Sequence, residues 1–343
     1  MSVNGQPVLA KDYAEHSYAV NRSADVGSSS QQPQEIEDND RPNTPPPYSG
    51  PTSPSMSQPQ PVQSQLQYPG LPRLEYRLYT PATFTLSSDA TTITSYEPRY
   101  STYPTALVSL IQSLATVPPK PHIRIVGKSA GYEVIDFDVK INLMNLIVTD
   151  DVKRRMNYVK LIGTGDVGFR GETSQTTAPS VTGGLEEWAR LFCADSASIK
   201  HFALERTVTN WDTSYLEGRL LSLVNNTLYG GRVTVTFPVT HSRVVIRSPD
   251  KVNRFFSNVT KVFTGTRKYE VVKSVWPYAD VARGEQGRRC AVQDEESFLR
   301  NWSDSIKHAI LSKRKGWVSV EDRLEFLMEP KESEKGNPAP WGN

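Results

Sequence analysis

Asp136 and Asp138 stand two residues apart, a spacing that puts both carboxylates on one face of an extended strand. Paired carboxylates can share acid–base work or hold a divalent cation. Lys140 and Asn142 continue that face, while Ile135, Phe137, Val139, Ile141 and Leu143 share the other. The simpler expectation is a strand with one wet side and one buried side. Gly163-Thr164-Gly165-Asp166-Val167-Gly168 matches the G-x-G-x-x-G of dinucleotide-binding turns. That chemistry needs a helix directly behind the glycines to face the pyrophosphate, and Phe169 to Ser174 is poor helix material. A kinase glycine loop fails for want of H-R-D, D-F-G and A-P-E downstream. A glycine-rich turn is expected. Gly127-Lys128-Ser129 ends like a phosphate loop, but the glycine due five positions earlier is His122, so it reads as a hairpin turn.

The five histidines, His16, His122, His201, His241 and His308, show neither H-E-x-x-H nor paired spacing, and no G-x-S-x-G occurs. Cys193 and Cys290 are 97 positions apart without neighbouring partners, the pattern of two reduced thiols rather than a zinc site or disulfide scaffold. The sequons at Asn258 and Asn301 then carry no weight. No catalytic residue, metal or cofactor is expected.

Charge suggests one more chemistry. Residues 200–276 hold 12 Lys or Arg and 5 Asp or Glu, a net of +7. Arg243 and Arg247 on a strand there could touch phosphate. A sheet that reads RNA also stacks bases on aromatic side chains, in the form K/R-G-F/Y-G/A-F-V-x-F/Y. Ser242-Arg243-Val244-Val245-Ile246-Arg247 has no aromatic residue. A solvated basic face is expected, with nucleic acid not expected as a partner.

The most specific motif is Pro45-Pro46-Pro47-Tyr48, a P-P-x-Y. Such a segment pre-forms a polyproline II helix and lays Pro45, Pro46 and Tyr48 on the aromatic groove of a WW domain. The 12 Pro and 4 Tyr among residues 1–72 would yield only about 0.1 such matches by chance. Thr44-Pro45 and Ser53-Pro54 flank it and resemble proline-directed phosphorylation sites, where a phosphate would add roughly −1.5 to −2 charge beside the docking segment.

The elements that must carry these residues divide the 343-residue chain unevenly. Residues 1–72 hold 3 basic and 7 acidic side chains, a net of −4, and no Phe or Trp. With so little apolar surface to offset an ordering cost of roughly 1–2 kcal/mol per residue, this segment is expected to be a disordered tail. A folded domain is expected over 73–330, with subdomains 73–198 and 199–330 as an option, and a polar tail over 331–343. Leu74 to Tyr79 alternates like a strand. A helix is expected over 104–116, with Pro104 in its first turn and Val117-Pro118-Pro119 as its stop. His122–Val126 and Tyr132–Ile147 read as a hairpin. A loop of about 15 residues then leads to a helix at Leu185–Cys193. Beyond 200 the order is strand Phe202–Asn210, helix from Asp212 or Thr213, strands Val233–Phe237 and Arg243–Arg247, helix from Asp250, and strand Lys268–Trp276. That is the order of a ferredoxin-like βαββαβ unit. Its alternative is a larger mixed sheet shared with strands from 74–147. A helix over 295–315 ended by Gly316, then a short one at Val320–Leu327, completes an α+β fold.

The segments LEYRLY, GGLEEWARLF, RVTVTFPVTHSRVVI and GRRCAVQDEESF resemble those of a family of filamentous-fungal intracellular proteins with no assigned activity. The resemblance spans about 73–328 and implies only a fungal source and an intracellular α+β fold. P-P-x-Y proteins of fungi are often adaptors or substrates of HECT-type ubiquitin ligases, and arrestin-like adaptors are one such group. This chain departs from them by its many helices. The expected function is a non-catalytic adaptor that recruits a WW-domain partner such as a HECT-type ligase. The alternatives are an enzyme or small-molecule binder using the cleft between the 121–147 hairpin and the 200–276 unit, and a nucleic-acid binder on the basic face. No apolar run reaches the ~20 residues of a membrane helix. Met1 to Ala10 lacks a charged leader followed by an apolar run, so no secretory signal is expected. The expected location is the cytoplasm, with the nucleus as alternative.

Overall fold

A computed structural model describes residues 71–328 except 130, 132, 178–180 and 250–264. Leu74 to Tyr79 does not form the expected strand; Tyr76–Tyr79 is a turn of 3-10 helix. The core takes both Leu74 and Tyr79, which are 4% and 2% exposed. Five residues apart, they would point to opposite faces of a strand, and a helical turn brings both inward. Tyr76 donates to the Pro72 carbonyl at 2.6 Å, so chain contacts begin before Leu74.

The chain continues through β1 (Phe84–Leu86), β2 (Thr92–Ser95), α1 (Pro98–Thr102) and α2 (Pro104–Ala115). The hairpin β3 (Lys120–Lys128) and β4 (Ile135–Asn142) follows, then α3 (Met144–Ile147). Short strands β5 (Tyr158–Leu161) and β6 (Arg170–Glu172) precede α4 (Gly184–Ala194) and β7 (Lys200–Thr209). After α5 (Thr213–Asn225) come β8 (Arg232–Thr236), β9 (Val239–Thr240), β10 (Arg243–Arg247) and β11 (Arg267–Pro277). The last elements are α6 (Glu295–Leu311), β12 (Lys315–Val318) and α7 (Val320–Met328). The helix expected from Asp250 falls outside the described residues.

These strands make two sheets. One runs β1-β2-β10-β7-β11-β5, with β6 also on β11. In it β2 is parallel to β10 and β7 to β11, while the other pairs are antiparallel. The other runs β12-β4-β3-β8, with β9 also on β3. There only β12 and β4 are parallel. The fold is α+β with mixed sheets, and both sheets draw strands from either side of residue 199.

The ferredoxin-like unit does not form. It would need β8 beside β10 and β7 antiparallel to β11, but β8 pairs with β3 in the second sheet, and β7 runs parallel to β11. The apolar side of β3, with Ile123 and Ile125, is continued by Val233 and Val235 of β8, which packs that strand into the hairpin's own core. The segment between β8 and β10 therefore crosses from one sheet to the other.

Three boundaries also differ from expectation. The strand expected to reach Ile147 ends at Asn142, whose side-chain oxygen accepts from the Met144 amide at 2.8 Å and starts α3. The stretch before α4 carries β5 and β6, both captured by β11, with β6 in the expected loop. The helix expected to reach residue 315 stops at Leu311, just past the last buried residue of its stripe, Ile310. Lys313 then takes a left-handed φ of 53°, and Lys315 and Gly316 join β12 on the open edge of β4.

Each sheet has its own core. Leu107, Ile111 and Leu114 of α2, with Leu185, Trp188 and Phe192 of α4, pack on Phe202, Leu204, Val244 and Ile246 of the first sheet. Leu216, Leu220 and Val224 of α5, with Phe298, Trp302 and Ile306 of α6, pack on Ile125, Phe137, Val139 and Ile141 of the second. Burying each such side chain contributes about 1.5–3 kcal/mol. Trp276 and Tyr278, at the end of β11, belong to the second core although their strand begins in the first.

Candidate functional site

Two cations of the basic 200–276 stretch turn inward. On β7 the even positions Lys200, Phe202, Leu204 and Arg206 share one face by strand period, cations at the ends and apolar residues between. Lys200 is 7% exposed, and its ammonium donates to the carbonyls of Phe192 and Asp195 at 2.7 and 2.5 Å, around the C-terminus of α4. Arg206 is 1% exposed, and its guanidinium donates twice to the Leu114 carbonyl, at 2.8 and 3.1 Å, and once to His241 O at 3.2 Å. Leu114 lies in the last turn of α2, where carbonyls lack helical partners. Ser274 of β11 donates to the next one, Ala115 O, at 2.9 Å. Two strand cations thus cap two helices that pack on their sheet, with favourable charge for a helix C-terminus.

The residues singled out as phosphate contacts sit on the opposite side of that sheet. Arg243 is paired with Glu270, to which His201 also donates from Nε2 at 3.2 Å. The His201 contact, with Arg243 beside it, pulls the Glu270 carboxyl down to about 2. Arg247 stands opposite His201 in the register, and its Nε is buried without a partner among the described residues. Lys273 pairs with Glu205 at 3.0 Å. Lys200 and Arg206 are thus buried, and Arg243 and Lys273 are held in ion pairs.

The other sequence candidates are tied down too. Asp136 accepts from Ser129 and from Tyr229, at 2.8 and 2.6 Å, and Asp138 is held by Arg124 in a bidentate pair at 2.8 Å. These bonds, led by Tyr229 and by Arg124 respectively, hold both carboxyls below their usual range. The glycine motif is a turn: Asp166 accepts from the Gly163 amide at 2.9 Å, and strand β6 follows where a dinucleotide site would need a helix. Gly127-Lys128-Ser129 is the hairpin end. Both cysteines are free thiols, pushed up in pKa by burial. Thr44, Pro45, Pro46, Tyr48 and Ser53 lie outside the described residues. No group of three or more His, Cys, Asp or Glu that could hold a metal occurs among the described residues, and none of their helices is long and apolar enough to cross a membrane.

A cleft of about 560 Å³ lies where the sheet-crossing segment meets the β3–β4 hairpin, between the 121–147 and 200–276 regions that the small-molecule alternative named; what the sequence did not show is its lining. Tyr79 forms part of its wall, with its hydroxyl donating to Pro118 O at 2.8 Å. The Lys120 ammonium lies 4.1 Å from the Tyr79 ring centroid, and the His241 ring meets Tyr79 edge-on at 5.3 Å. His122 and Trp317 pack ring to ring at 5.3 Å on the other side. Arg206 sits behind, 5.7 Å from the Tyr79 centroid. Burial, with Lys120 and Arg206 nearby, pulls His241 down to about 4 and leaves it neutral. Burial and Arg206 also lower Lys120.

The backbone of this wall is strained. Ala90 and His241 both take left-handed φ, 55° and 52°, and the His241 amide donates to Ala90 O at 2.7 Å. Non-glycine residues adopt that conformation at about 1–2 kcal/mol each. No sequence signal marked Lys120 or His241, because their neighbours come from segments more than 100 residues apart. Compared with protein-family models, with curated proteins and with solved structures, the chain gives no match.

Proposed function

We propose that this chain is a non-catalytic adaptor that recruits a WW-domain partner, such as a HECT-type ubiquitin ligase, through Pro45-Pro46-Pro47-Tyr48. The observation that carries the reading is the motif itself, set in a segment rich in Pro, Ser and Gln with no Phe or Trp. Three consecutive prolines restrict the free peptide to the bound conformation, which lowers the ordering cost of docking. The likeness to filamentous-fungal intracellular proteins, and a cytoplasmic setting, belong to the same proposal. Support from the folded part is indirect. Asp136 and Asp138, the paired carboxylates of the sequence, are held by Ser129 and Tyr229 and by Arg124.

The test is a titration of HECT-ligase WW domains with the peptide 40–54. Tyr48→Ala should abolish binding by removing the ring that fills its own pocket. Pro46→Ala should weaken it strongly, and Pro47→Ala, at the unspecified position, much less. Equal binding of wild-type and Tyr48→Ala peptides would end the adaptor reading.

A further inference from the structure

We infer that the cleft walled by Tyr79, Lys120, His241 and Trp317 is a binding site for a small aromatic carboxylate. At about 560 Å³ it lies within the 300–1,000 Å³ typical of small-molecule sites. Tyr76, His122 and Trp317 on its lining are not fully buried, and their aromatic surface suits a planar ligand. Its charge is one-sided. No Asp or Glu lines it, and Lys120 has no ion-pair partner among the described residues.

Arg206 adds positive potential from behind Tyr79, since all three of its contacts are to carbonyls and none to a carboxylate. A half-buried ammonium without a counterion has lost hydration that an anion would restore. The number of charges narrows the ligand. Lys120 is the one ammonium on the lining, because Arg206 is 1% exposed. One carboxylate is matched there, whereas a nucleoside polyphosphate would bring charges with nothing to meet them. The strained pair Ala90 and His241 fits a wall held in shape for a ligand. By contrast, the cleft at the glycine turn, about 300 Å³, is lined by Asp166, Glu205 and Glu270, and its Lys160 and Lys273 are already paired with two of them. It repels anions.

This site is independent of WW docking, so either proposal can fail alone. The test is calorimetric titration of the full chain with 1-naphthoate, against 1-naphthamide and 1-naphthylmethylamine. Naphthoate should bind one to one, with the amide and the amine at least about tenfold weaker. Lys120→Met should lower naphthoate affinity about tenfold or more, Lys120→Arg should restore most of it, and Lys273→Met should leave it unchanged. Equal binding of amide and carboxylate overturns the inference, as does absent binding at millimolar naphthoate. So does full affinity in Lys120→Met. The amide comparison uses the unaltered chain and decides the matter even if that variant fails to fold.

Discussion

At the scale of single residues, charge in this protein is placed where backbone groups need it. Arg206 is buried without a carboxylate, and its energetic role is to satisfy the carbonyls of Leu114 and His241. Arg206→Met keeps the bulk of the stem and orphans both acceptors, so it should destabilise by about 2 kcal/mol after the relief of burying no charge. Urea unfolding monitored by circular dichroism measures this, and an unchanged midpoint would show that water replaces the guanidinium.

His241 makes the matching pH statement. Its ring titrates near 6.5 when unfolded and at about 4 in the cleft, where Lys120, Arg206 and Tyr79 face it. Between those values the unfolded chain binds a proton that the folded chain refuses, so stability falls as pH drops from about 6.5 to 4. His122 and His201, also lowered by burial, act in the same direction. His241→Asn tolerates the left-handed φ and removes the titration. It should lose less Tm between pH 7 and pH 5 than the wild type, and parallel slopes would refute the assignment.

At the scale of elements, the sequence is legible where a pattern is local. The stripe and prolines of α2, the alternation of the β3–β4 hairpin, the Asp212 cap and the two ends of β11 all follow from residues within a few positions of each other. Strand partners do not. Val233 and Val235 fit any sheet with an apolar face, and nothing in their own segment names β3. Lys200 and Arg206 misled for the same reason, since a Lys that caps a helix and a Lys in solvent are the same letter. A cleft between the hairpin and the 200–276 region could be named from the sequence, but its lining could not, because Tyr79, Lys120, His241 and Trp317 come from four separate segments. One element end is also improvable. Leu228, just after α5, is 92% exposed and takes φ 59°. Leu228→Asn should stabilise by about 0.5–1 kcal/mol, because Asn accepts that conformation and no contact is lost. A rise in Tm checks it.

At the scale of the whole molecule, the buried apolar core of the described residues runs from Leu74 to Val318. Residues 1–60 hold Pro45, Pro46 and Tyr48 and contribute no Phe or Trp. Their removal should therefore leave Tm within about 2 °C while abolishing WW-domain capture. A larger fall would show that this segment stabilises the domain.

The capping of α2 and α4 from the sheet has a consequence for how the chain folds. Leu114 waits for a donor 92 positions downstream, and Ala115 for one 159 positions downstream. During synthesis α2 emerges long before Arg206 and Ser274 do, so its last turn has only water to satisfy it, and α2 cannot mature as an autonomous nucleus. Helix completion and β7–β11 pairing become a single late event with a large loop-closure cost, which slows folding and makes it all-or-none. Amides at the C-terminal end of α2 and those of β7 should then exchange with solvent at one shared rate, the rate of global opening.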